Sequence, residues 1–146
     1  MAEPVYNVLF LCTGNSARSI LAESLLNNLG KGRFRAFSAG SHPAGQINPF
    51  ALALLEKNHF PTDELRSKPW DEFAQADAPR LDFVITVCDN AKESCPVFPK
   101  PIPSIHLPFH DPHGEPLESF LAVRDDIRAR LVAAVREKLG LQAAAA

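Results

Sequence analysis

Val5-Tyr6-Asn7-Val8-Leu9-Phe10-Leu11 runs straight into Cys12-Thr13-Gly14-Asn15, and from Ser16 the apolar period changes, with Leu21, Ala22, Leu25, Leu26 and Leu29 on one helical face before Gly30. An apolar run, a short Gly-Asn turn and an amphipathic segment read as strand, loop and helix. The alternation continues. Phe34 to Ser38 predicts a second short strand stopped by Gly40. Asn48-Pro49 carries the cap-then-proline signature of a helix start, with Phe50, Ala51, Leu54 and Leu55 on the buried face. Phe83-Val84-Ile85-Thr86-Val87 is nearly continuous in apolar and β-branched residues, as a strand covered on both faces requires, and it delivers Cys88 at its carboxyl end. Ile102 to Leu107 predicts a fourth strand, which the prolines at 101, 103 and 108 place at the sheet edge because they withhold ladder donors. Phe120, Val123, Ile127, Leu131, Val135 and Leu139 then recur at helical spacing to Gly140. Four strands alternating with helices through right-handed crossovers predict an α/β fold: a small, doubly wound, four-stranded parallel sheet with helices on both faces and its ligand site at the carboxyl ends of the strands.

At 146 residues the chain is expected to be a single domain over 1–146, with a frayed alanine tail at 143–146 and no room for a separate cofactor domain. Fifteen basic and seventeen acidic residues give a net charge of −2, which supplies no global field for nucleic acid or an anionic membrane. The apolar runs fall far short of the ~20 residues a membrane span needs, and residues 1–7 lack the basic and apolar regions of a signal peptide. A cytoplasmic protein, expected to be monomeric, follows. Three cysteines cannot close a disulfide framework without one left over, so in a reducing compartment they read as reactive thiols.

The loop Cys12-Thr13-Gly14-Asn15-Ser16-Ala17-Arg18-Ser19 sets a cysteine and an arginine, with five residues between them, between the first strand and the first helix. Successive backbone N–H groups of Thr13, Gly14, Asn15, Ser16, Ala17 and Arg18, running into a helix N-terminus, are expected to converge on one tetrahedral oxyanion. Gly14 and Asn15 are the residue types best able to take left-handed conformations within it. Arg18 brings a planar fork of donors to two oxygens of that anion, a geometry lysine does not match. Cys12 would lie beneath the guest. The same dipole and donors favour its thiolate, and the Ser19 hydroxyl can help hold that charge, so Cys12 reads as a nucleophile.

Cys12 to Ser19 resembles the phosphate-binding loop of the low-molecular-weight protein tyrosine phosphatases and of the arsenate reductases that share their fold. Ser38-Ala39-Gly40 and Asp111-Pro112 stand where that family has them, and the resemblance spans nearly the whole chain. It implies that Asp111 is the general acid, which agrees with the need of a leaving oxygen for a proton. His110 and His113 flank it as lesser candidates, while His42, His59 and His106 are expected to be structural, and Trp70-Asp71-Glu72-Phe73 to be one helical turn packed on the sheet.

Within the family, Cys88 and Cys95, with six residues between them, decide between two activities. A phosphatase releases phosphate from a Cys12 phosphoenzyme by water attack and needs neither of them. The pattern is similar to that of thioredoxin-coupled arsenate reductases, which implies that Cys12 attacks arsenate, Cys88 attacks Cys12, and Cys95 attacks Cys88, leaving a Cys88–Cys95 disulfide for thioredoxin or a glutathione and glutaredoxin pair to reduce. The expected function is therefore arsenate reductase with possible residual phosphatase activity, and the alternative is a phosphatase hydrolysing phosphate monoesters. Ala17 stands where both branches often carry another cysteine. A Tyr-poor chain with His113 and Gly114 after Asp111-Pro112 supplies little of the aromatic slot that tyrosine phosphatases use. No resident cofactor or metal is expected: the cysteine spacing is not that of a zinc pair. Some family members bind potassium through residues matching Asn15, Glu23 and Ser38, but Pro69 replaces a further carboxylate, which implies weak binding.

Overall fold

The structure, a computed structural model, describes residues 5–29, 34–63, 65–73, 75, 78–87, 102, 104–110, 112 and 114–139. Its strands are β1 (Tyr6–Cys12), β2 (Phe34–Gly40), β3 (Phe83–Thr86) and β4 (Ser104–His106), and its helices α1 (Arg18–Leu29), α2 (Pro49–Lys57) and α3 (Leu117–Leu139), with a 3₁₀ turn at Trp70–Phe73. All pairings are parallel, in the order β2-β1-β3-β4. β1 therefore lies inside the sheet. Val8, Leu9, Phe10 and Leu11 are each 0% exposed; because neighbouring strand residues point to opposite faces, four in a row at zero means that both faces are covered. Each such side chain contributes roughly 1.5–3 kcal/mol of burial.

β4 pairs with β3 alone, the edge position that its flanking prolines predict. Val87 lies beyond β3 but continues the ladder, its N–H donating to the Leu11 carbonyl at 2.9 Å. The bottom of the sheet is stapled where Asn7 N–H donates to Asp82 Oδ2 (2.7 Å) and Asp82 N–H returns to the Asn7 carbonyl (2.8 Å).

Several boundaries differ from the sequence expectation: β2 runs on to Gly40 rather than ending at Ser38, β3 ends at Thr86 rather than Val87, and β4 is confined to Ser104–His106 within the expected Ile102 to Leu107. Val5 is exposed and outside β1, whereas Cys12 is the last residue of the strand. α1 begins at Arg18 rather than Ser16, so Ser16 and Ala17 belong to the loop. Phe50 is 45% exposed instead of buried with Ala51, Leu54 and Leu55, and it meets the edge of the buried Phe120 ring at 5.3 Å. α1 is buried continuously from Ser19 to Leu26, not on one face only, because it packs against β1 and β2 as well as α3. That continuity draws Ser19, Glu23 and Ser24 into the interior with the leucines.

α2 opens as its sequence demands: Asn48 Oδ1 accepts from Phe50 N–H at 2.9 Å, and Pro49 takes the first position. It closes with a Schellman pattern, Phe60 N–H to the Leu55 carbonyl and His59 N–H to the Glu56 carbonyl, which forces His59 to φ +62°. His59 is thus structural, in a place where glycine is the usual residue. His106 is structural too, its Nδ1 within 2.8 Å of Thr86 Oγ1. The turn at Trp70–Phe73 packs on the sheet as expected, with the Phe73 ring 5.6 Å from that of Phe37 on β2.

Candidate active site

β1 and β2 run parallel and end side by side, Cys12 opposite Gly40, so the loop after Cys12 crosses the carboxyl edge of the sheet. Cys12 is 3% exposed. The loop is held from outside by its carbonyls. Ser41 N–H donates to the Cys12 carbonyl (3.1 Å), His42 N–H to Thr13 (2.9 Å), Ala44 N–H to Gly14 (2.9 Å) and Asn48 N–H to Ser16 (2.9 Å), and Ser67 Oγ adds a bond to the Gly14 carbonyl (3.1 Å). A trans peptide holds each C=O antiparallel to the next N–H, and no peptide among the described residues is cis. The N–H groups of Thr13, Gly14, Asn15 and Ala17 therefore point away from those partners. Donors arranged in this way can serve an oxyanion.

The left-handed residue in the loop is Asn15, at φ +48°. Gly14 does not share that conformation, contrary to the sequence expectation; a Cβ built on it would meet Ser16 Oγ at an ordinary 3.7 Å. The asparagine side chain explains how a non-glycine holds the turn. Asn15 is 0% exposed and its amide is fully used: Nδ2 donates to Ser19 Oγ (2.8 Å) and Ser38 Oγ (2.9 Å), and Oδ1 accepts from the Lys68 N–H (2.9 Å). The Ser19 oxygen accepts from Asn15, so its own hydrogen is directed elsewhere. Gly40 is glycine for want of space. A Cβ there would stand 2.4 Å from the Thr13 carbonyl oxygen and 3.1 Å from the Asn15 N and Cβ.

Arg18 opens α1 with its guanidinium half-buried, and its Nη1 donates to the Phe109 carbonyl at 3.4 Å. That bond ties the arginine to the segment leading to Asp111. Asp111, Cys88 and Cys95 lie outside the described residues, as does His113. His110 is exposed, with Nε2 2.7 Å from Glu115 Oε2. His42 contributes its backbone rather than its ring, which sits 3.0 Å from Ser41 Oγ. The structure thus brings together Cys12, Thr13, Gly14, Asn15, Ser16, Ala17, Arg18 and Ser19 in one loop.

Lys68 escaped the sequence reading. It is 6% exposed; its carbonyl accepts from Gly40 N–H (2.9 Å), its N–H holds Asn15, and its Nζ donates to the Arg66 carbonyl (2.9 Å) and stands 3.9 Å from Glu23 Oε1. Glu23 in turn accepts from Ser38 Oγ at 2.5 Å. Burial pushes the Glu23 carboxyl above its usual range, opposed by the Lys68 charge, and pushes the Lys68 ammonium below its own, opposed by Glu23. Asn15, Glu23 and Ser38 are the residues that the family resemblance offers to potassium. They do not fit one here, because Asn15 Oδ1 faces an N–H donor and an ammonium already stands by Glu23. In sequence, Arg66-Ser67-Lys68 has the look of a solvated charged stretch.

Among the described residues, no helix is long and apolar enough to cross a membrane. Residues 7–142 match the family model described as low molecular weight phosphotyrosine protein phosphatase. The chain is 32% identical over 129 residues to arsenate reductase 1 of Staphylococcus epidermidis, an alignment covering 85% of this chain and 91% of that protein. Among solved structures, the arsenate reductase of Archaeoglobus fulgidus is 30% identical, with a TM-score of 0.72 and coverage of 88% of this chain and 98% of that one. A thioredoxin-dependent arsenate reductase of Corynebacterium glutamicum is 27% identical, with a TM-score of 0.64 and coverage of 91% of this chain and 63% of that one.

Proposed function

Because the chain belongs to the low molecular weight phosphotyrosine protein phosphatase family, we propose that it is an arsenate reductase that turns over through Cys12, Cys88 and Cys95 in sequence. The observation that carries the chemistry is the loop: its carbonyls are bonded to the flanking segment, which directs the N–H groups of the same peptides the other way, and a buried cysteine stands at its start. Such a nest stabilises both the bound oxyanion and the thiolate beneath it. The likeness to proteins named arsenate reductases, together with the presence of Cys88 and Cys95, supports reduction over hydrolysis.

In this reading Thr13, Gly14, Asn15, Ser16, Ala17 and Arg18 bind arsenate, and the Cys12 thiolate attacks the arsenic. Asp111 protonates the departing oxygen, which leaves as water. Cys88 attacks the Cys12 sulfur, the sulfur–arsenic electron pair stays on arsenic, and arsenic(V) departs as arsenite, leaving a Cys12–Cys88 disulfide. Cys95 then attacks Cys88 and releases the Cys12 thiolate. The resulting Cys88–Cys95 disulfide takes two electrons from an external dithiol, thioredoxin in the reading the Corynebacterium neighbour favours, with glutaredoxin and glutathione as the other donor. Ser19 directs its hydroxyl to the thiolate. The enzyme works as a cytoplasmic monomer without a resident cofactor.

The test mixes reduced protein with arsenate in the absence of external thiol and maps disulfides by mass spectrometry, against a phosphate control. A stoichiometric Cys88–Cys95 bond appearing only with arsenate is the expected result. Three unmodified thiols together with rapid hydrolysis of an aryl phosphate would make the protein a phosphatase instead. Cys12→Ser should abolish either activity while phosphate binding persists.

A further inference from the structure

Glu23 and Lys68 sit on different elements, both inside the molecule, and one line of hydrogen bonds connects them to the nucleophile loop. Every link has a defined direction. Lys68 N–H donates to Asn15 Oδ1, which fixes the amide so that Nδ2 must do the donating, to Ser19 and to Ser38. Ser38 accepts from Asn15 and so passes its own hydrogen to Glu23 Oε1. Glu23 accepts there and ends the line beside the Lys68 ammonium. The nearby ammonium of Lys68 is what makes an ionised carboxylate tolerable at that depth.

We propose that the buried Lys68–Glu23 pair is a positioning device for the Cys12 loop, acting through Ser38 and Asn15 to hold the left-handed turn and to aim the Ser19 hydroxyl at the nucleophile. Without the ammonium, the Glu23 carboxylate is left buried with no partner charge and is driven from its place beside Ser38. The Ser38 hydrogen then loses its acceptor and competes with Asn15 for the same space. The disturbance reaches Ser19 through one residue. Lys68 acts at a distance from the reacting atoms and is a positioning residue, while its backbone N–H would survive replacement of the side chain. The pair also lines a cavity of about 860 Å³, shared with Arg66 and Glu72, through which a small amine can reach Glu23.

The proposal rests on the proposed function only in taking Cys12 as the nucleophile, so its test reads the thiol directly. Cys12 alkylation by iodoacetamide at neutral pH is followed by peptide mass in the wild type, Lys68→Met, Lys68→Arg and Ser38→Ala, each with its melting temperature. A one-unit rise in thiol pKa above the assay pH lowers the thiolate population roughly ten-fold, and a slowing of that size is expected in Lys68→Met and Ser38→Ala. Added methylammonium should restore at least half the rate in Lys68→Met and none in Ser38→Ala, and Lys68→Arg should stay near wild type. Wild-type alkylation in Lys68→Met or Ser38→Ala overturns the proposal, and so does an amine effect of equal size in both. Should Lys68→Met fail to fold, Ser38→Ala and Glu23→Leu/Lys68→Met, which bury no lone charge and break the line at Ser38 or remove its acceptor, carry the comparison: slowed alkylation supports the device and an unchanged rate refutes it. A wild type that alkylates rapidly at Cys12 yet reduces no arsenate would sink the reductase reading and leave this inference standing.

Discussion

Replacing Gly40 by alanine adds one methyl group at the tightest point between the sheet and the loop. The new Cβ would lie 2.4 Å from the Thr13 carbonyl oxygen, against the ~3.3 Å at which a carbon ordinarily meets a carbonyl oxygen. Either β2 or the loop must retreat by about 0.9 Å, the difference between those two distances. β2 is held in register along its length by β1, so the loop yields. Overpacking of this kind costs about 1–3 kcal/mol, offset by roughly 0.4–1 kcal/mol from the less flexible unfolded chain. At ~2–4 °C per kcal/mol for a chain of this size, the net loss of up to ~2.6 kcal/mol should lower the melting temperature by up to about 10 °C. A misplacement near 1 Å in the oxyanion nest costs about 10²-fold in kcat/KM. Thermal melting and the rate of arsenite formation with a dithiol donor measure the two effects separately. Gly45→Ala is the control, because Gly45 has φ +88° and nothing within 4 Å of a built Cβ; it should lose about 1–2 kcal/mol to backbone strain with kcat/KM unchanged. Gly40→Ala with kcat/KM within three-fold of wild type would refute the argument that the Gly40 contact sets the loop.

Arg18→Lys should lower kcat/KM for arsenate by about 10²-fold, since one ammonium replaces a fork of charge-assisted donors worth ~1.5–3 kcal/mol each; steady-state kinetics decides it. His59→Gly should stabilise the fold by about 0.5–1 kcal/mol, because the left-handed position no longer carries a Cβ, with urea unfolding as the measurement. Glu72→Gln addresses pH. Arg66 hydrogen-bonds Glu72 at 2.6 and 3.0 Å and holds its carboxyl below the usual range, so the stabilisation is present above the ordinary carboxylate pKa and disappears as pH falls through the lowered one. With side chains 60% and 37% exposed, the deficit of the variant at pH 7 should be only ~0.2–1 kcal/mol and should shrink in denaturation curves as pH falls below the ordinary carboxylate range.

The fold was legible where burial is written locally. Val8 to Leu11 and Phe83 to Ile85 are apolar without alternation because both faces are covered, and the prolines around β4 reveal an edge by the donors they lack. The placement of the Cys12–Ser19 loop between β1 and α1 was legible for a similar reason, since its signal is contained in eight consecutive residues. What escaped was set by partners far away in the chain. α1 starts at Arg18 because Asn48 N–H holds the Ser16 carbonyl back in the loop, a bond that helix propensity does not report. Asn15 rather than Gly14 is left-handed because Lys68, 53 residues on, fixes its amide. A lysine in a charged tripeptide carries no mark of burial, and only the fold shows what it faces.

The brace behind the loop is made almost entirely of main chain. Ser41, His42, Ala44 and Asn48 hold it with N–H groups, which every residue but one possesses, and Pro43 occupies the position that contributes no such bond. These bonds ask nothing of the side chains at 41, 42, 44 and 48, whereas proline at any of those positions would remove a strut. The loop's outer support is thus a matter of chain path rather than of residue type.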